Sequence, residues 1–92
     1  MAATLDKIRE TIRDIAERPK NISESEIKWV VDQLKEHGFN VRKPRKTRHG
    51  QLYGINSVRF QICTHHPGGK QIKRCYVEDF LNAMTELGLY ED

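Results

Sequence analysis

The chain has 92 residues, 37% hydrophobic and 32% charged, with a formal net charge of +3. That length holds one small domain, and the composition is too apolar for a disordered chain and too polar for a membrane protein. No run approaches the roughly 18–20 apolar residues of a spanning helix, so membrane proteins and large multi-substrate enzymes are set aside. A small nucleic-acid or protein-binding module, or a compact hydrolase, is what remains.

The segment from Met1 to Glu10 is charged and lacks the apolar run of a signal peptide. The two cysteines, Cys63 and Cys75, do not make a disulfide framework. The expectation is a cytoplasmic protein with reduced thiols and no membrane contact.

From Thr4 to Glu17, Leu5, Ile8, Ile12 and Ile15 recur at helical spacing and make one apolar stripe. Pro19 ends this helix. A second helix is expected over about 24–37. Ser23 and Glu26 form a capping box, Ile22 and Ile27 a hydrophobic staple, and Ile27, Val30, Val31 and Leu34 a core face. Gly38 then serves as its C′ residue. Trp29 flanks the stripe and is expected to cover the core.

After Gly38 the period becomes two, which argues for strands near 39–45, 49–55 and 58–64. Asn56-Ser57 reads as a two-residue turn. Pro44 suggests that the first strand is an edge. Pro67-Gly68-Gly69 is a loop, and Val77, Phe80, Leu81, Met84 and Leu87 mark a last helix ending at Gly88. The expected fold is α+β in the order α-α-β-β-β-α, a three-stranded antiparallel sheet with its helices on one face. The layout is that of a double-stranded-RNA-binding-like fold.

The charges are unevenly placed. Residues 1–39 hold seven Lys/Arg and eight Asp/Glu, residues 40–74 hold nine Lys/Arg and no carboxylate, and residues 75–92 hold no Lys/Arg and five Asp/Glu. Crowded like charges destabilise a fold by self-repulsion, so the +9 window points to a polyanionic partner, or else to neutralisation within the fold.

His37 suits a helix C-terminus, and His65-His66 lacks the companion ligands of a zinc site. His49 lies within Lys43-Pro44-Arg45-Lys46-Thr47-Arg48-His49-Gly50. An imidazole moves protons near neutral pH, and neighbouring cations hold a phosphate beside it. With the RNA 2′-hydroxyl as internal nucleophile, such a group supports metal-free cleavage. A histidine that only contacts phosphate or solvent is the plainer alternative. No carboxylates lie in the basic window to ligate two metals, and no nucleotide-binding glycine motif is present. No metal or cofactor is expected. Tyr53 is a candidate for stacking on a base.

The run Arg18-Pro19-Lys20-Asn21, the capped helix ending in Gly38-Phe39, a histidine opening the second strand, and Tyr76-Val77 opening the last helix resemble the HicA (YcfA-like) family of small bacterial messenger-RNA interferase toxins. Thr47-Arg48-His49 stands where that family carries Gly-Ser-His. The resemblance spans about residues 18–88 of a single domain, 1–92, with the helix over 1–17 as an addition. It implies a toxin–antitoxin pair in which His49 is catalytic and an acidic HicB-like antitoxin covers the basic face. Arg45, Lys46, Arg48 and Arg59 are the expected phosphate contacts, extended by Lys73 and Arg74. A non-catalytic RNA-binding module, or a protein-interaction domain, on the same fold is the alternative.

Overall fold

The computed structural model describes residues 4–48, 50–63 and 71–91. The element order is α1 (Leu5–Glu17), α2 (Glu24–Glu36), β1 (Val41–Lys46), β2 (Gln51–Ile55), β3 (Val58–Ile62) and α3 (Arg74–Glu86). The fold is α+β, with one antiparallel sheet in the order β1-β2-β3.

Local chemistry sets the helix ends. The Thr4 hydroxyl accepts from the Lys7 N–H and caps α1. At α2 the Ser23 N–H donates to Glu26 Oε2 at 2.9 Å, and the capping box forms. Ile22 and Ile27 are both buried, as a staple requires. Both α2 and α3 end in a Schellman motif. Gly38 and Gly88 take positive φ, the Phe39 N–H donates to the Leu34 carbonyl, and the Leu89 N–H donates to that of Met84.

α3 begins at Arg74, one turn before the first apolar position, Val77. Its first turn is largely exposed, so no hydrophobic period announces it. β1 begins at Val41 rather than Phe39, because the Val41 N–H bonds back to the Phe39 carbonyl and bends the chain there. The β2–β3 turn at Asn56-Ser57 forms as expected, with Asn56 at φ 55°.

One face of the sheet is buried under the helices. Ile55 pairs with Val58 and Tyr53 with Phe60, and Ile62 completes the layer. The rings of Tyr53 and Phe60 stack at 5.3 Å, and Phe80 of α3 meets Phe60 edge-on at 5.5 Å. Ile8, Ile12 and Ile15 of α1 lie in this same core. α1 is therefore part of the hydrophobic centre rather than an appendage. Leu5, at the start of the stripe, is 40% exposed and falls outside it. Trp29 packs half-buried against the core.

Among the described residues, the opposite face of the sheet carries no helix. Arg42, Gly54 and Arg59 form one cross-strand row on it, and Arg45, Leu52 and Gln61 the next. No described helix is long and apolar enough to cross a membrane.

Candidate nucleic-acid interface

β1 is an edge strand, as Pro44 suggested, but its register with β2 shifts between Arg42 and Arg45. The extra residue is a β-bulge containing Lys43 and Pro44, where a missing ladder N–H is tolerated. Arg42 faces Gly54 and Arg45 faces Leu52, so both arginines share the open face although they stand three positions apart. Arg59 joins them from β3.

The β1–β2 hairpin is closed by the Thr47 N–H donating to the Gly50 carbonyl at 2.8 Å. The Gln61 amide donates to the Thr47 hydroxyl at 3.0 Å and ties the loop to β3. Gly50 lies so close to β3 that a Cβ would stand 2.0 Å from the Ile62 carbonyl oxygen. On the far side of the same strand end, the Lys73 N–H donates to the Cys63 carbonyl at 3.2 Å. The segment before α3 is pinned further by the Ile72 N–H to the Ile22 carbonyl at 2.8 Å, and by the Gln71 amide to the Lys20 carbonyl. Thr47 and Gly50, the end of β3 at Ile62 and Cys63, and Lys73 thus meet at one end of the sheet.

This geometry brings most of the expected site residues together. Arg45 and Arg59 stand on the open face, and both are exposed. Lys46, Arg48, Lys73 and Arg74 belong to the hairpin end and are exposed. Arg74 pairs with Glu78 at 3.3 Å, a solvated helical ion pair. Among the described residues, no carboxylate lies within ion-pair distance of Arg42, Lys43, Arg45, Lys46, Arg48, Arg59 or Lys73. The positive charge is therefore not neutralised pairwise inside the fold. Arg59 shares a cleft with Asp79 and Glu86 of α3 without pairing to either.

His49 lies outside the described residues, as do His65-His66 and the Pro67-Gly68-Gly69 loop.

Tyr53 corrects the sequence reading. It is 2% exposed, with its ring against Phe60 on the helix side of the sheet. It pairs with Phe60, so strand alternation turns it away from the open face, and its ring is not available to stack on a base. Burial raises its phenol pKa, and the Glu24 and Asp32 carboxylates raise it further.

Sequence reasoning missed Arg42. Its guanidinium spans Gly54 and donates to the Asn56 carbonyl. Strict alternation sets Arg42 and Arg45 on opposite faces, and only the bulge reunites them. Gly54 was the available signal, since a glycine inside a strand marks a bulge or a close approach.

No protein-family model, no curated protein and no solved structure matches the chain.

Proposed function

We propose that the protein binds RNA through the open face of the sheet and the adjoining β1–β2 hairpin end, and that it cleaves the bound strand in the manner of the HicA-like interferases it resembles. The observation that carries this reading is the set of exposed cations on and beside one sheet, Arg42, Lys43, Arg45, Lys46, Arg48 and Arg59, without carboxylate partners among the described residues. Such a set gains free energy by displacing condensed counterions from a phosphate backbone.

The reaction requires no group beyond this chain and its substrate. The RNA 2′-hydroxyl attacks the adjacent phosphorus and the 5′-oxygen leaves, giving a 2′,3′-cyclic phosphate and a 5′-hydroxyl end. His49 takes or returns the proton, while Arg45, Lys46 and Arg48 bind the phosphate and offset its developing charge. The acidic partner that would silence such a toxin fits the same cationic face.

Incubating end-labelled single-stranded RNA with the purified protein, in EDTA and across a salt series, tests the proposal. The expected result is salt-sensitive binding with cleavage that His49→Ala abolishes while the variant stays folded. Binding without product establishes the non-catalytic RNA-binding module instead. Absence of binding at physiological salt leaves the protein-interaction reading.

A further inference from the structure

We infer that Gly54 is a seat for the Arg42 guanidinium, and that the Arg42–Gly54–Arg59 row on the open sheet face is a phosphate subsite. This rests on the RNA-binding reading above and adds a contact away from the hairpin end.

The argument starts from register. Gly54 pairs with Arg42 on one side and Arg59 on the other, so the two arginines flank one glycine on one face. Two strand spacings put their Cα atoms about 10 Å apart, within reach of one phosphate for two extended arginine side chains. A Cβ at Gly54 would stand 2.8 Å from Arg42 Nε and 3.2 Å from Cζ. The guanidinium therefore occupies the space that any other residue's side chain would fill.

The way Arg42 is held supports the same conclusion. Its Nη2 donates to the Asn56 carbonyl, a neutral acceptor, and no carboxylate pairs with it among the described residues. A neutral acceptor orients the cation without cancelling its charge. Of the five N–H donors on the fork, one is used this way, and Arg42 remains exposed. A planar fork oriented over bare backbone suits bidentate contact with phosphate. Acidic side chains border both ends of the row without pairing to it: Asp79 and Glu86 share a cleft with Arg59, and Glu24 and Asp32 share one with Arg42.

Gly54→Ala tests the seat without changing the charge. Gly54 has no positive φ that would strain an alanine, and the obstructing atoms belong to a flexible side chain, so the fold is expected to survive. The variant should melt at the same temperature or higher, because glycine weakens a strand interior. It should bind labelled single-stranded RNA about tenfold more weakly, the effect of losing one charge-assisted contact. The slope of log affinity against log salt should flatten by about 0.7, the value for one phosphate on a single strand. Arg42→Ala should show the same loss, and Arg13→Ala, on exposed α1 surface, should show none.

If Gly54→Ala melts early, Arg42→Lys replaces it, keeping the charge and losing the fork, with the same loss expected. Wild-type affinity in Gly54→Ala, or in Arg42→Lys where it is used, overturns the seat. If the wild-type protein binds no RNA, the functional reading falls and the subsite falls with it. If polyglutamate binds as tightly as RNA, the phosphate assignment is overturned in favour of an acidic protein.

Discussion

Arg42 and Arg45 share one face of β1 although they stand three positions apart, because the bulge at Lys43 and Pro44 puts one extra residue into β1 while their partners Gly54 and Leu52 stand only two positions apart on β2. The cationic character of the open sheet face depends on that irregularity. The bulge and Pro44 also blunt the outer edge of the strand, where Lys43 and Lys46 already disfavour pairing with another chain. Removing Pro44 leaves Arg42 and Arg45 two positions apart in a regular strand, still on one face. The shortened protein is expected to keep its RNA affinity within about twofold and to self-associate more strongly. Light scattering after size exclusion, with an RNA titration, checks both expectations.

Gly50, just before β2, and Gly54, inside it, should respond differently to a single methyl group. At Gly50 a Cβ meets the Ile62 backbone carbonyl, which cannot move without breaking the sheet. Gly50→Ala should cost about 2–3 kcal/mol, the range of overpacking in a rigid setting, or roughly 10 °C or more in melting temperature. The obstacle at Gly54 is the end of an arginine side chain, so its alanine variant should stay near wild type in stability. Thermal denaturation of the pair distinguishes backbone obstruction from side-chain displacement.

α1 shares the core, and this has a measurable consequence. Ile12 is fully buried among residues of the common hydrophobic cluster. Ile12→Ala should destabilise the whole domain by about 2–4 kcal/mol, with one cooperative urea transition followed both by circular dichroism and by Trp29 fluorescence. A helix that docked independently would instead give two transitions, or a change near zero.

Arg18 links three local elements. It contacts Asp14 at 2.6 Å, Glu26 at 2.9 Å and the Asn21 carbonyl at 3.1 Å. At Glu26, burial pushes the carboxyl pKa up, but the Arg18 hydrogen bond, the Ser23 N–H and the nearby positive charge outweigh it and leave the pKa below its ordinary 4.5. A pKa lowered on folding means stability that is present above the unfolded value and lost as pH falls through the folded one. Stability should therefore decline below about pH 4.5, and Glu26→Gln should remove part of that decline. Both side chains are about one-third exposed, so the effect is held to under about 1 kcal/mol. Urea midpoints between pH 3 and pH 6 would measure it.

The helices were legible in the sequence because their determinants are local. Ser23 and Glu26 are three residues apart, Gly38 and Gly88 act within one turn of the helices they end, and the apolar stripes repeat every three or four positions. The concentration of positive charge in residues 40–74 was equally visible, being a property of composition. Which face each strand residue takes is different in kind, because it depends on pairing between distant segments. Alternation alone could not register the bulge at Lys43-Pro44, which puts Arg42 on the same face as Arg45. Nor could it show that Tyr53 meets Phe60 under the helices, or that Lys73 reaches the end of β3 beside Gly50. Hydrogen bonding between strands and close backbone approach decided those placements, and neither is written in the spacing of residues along a single strand.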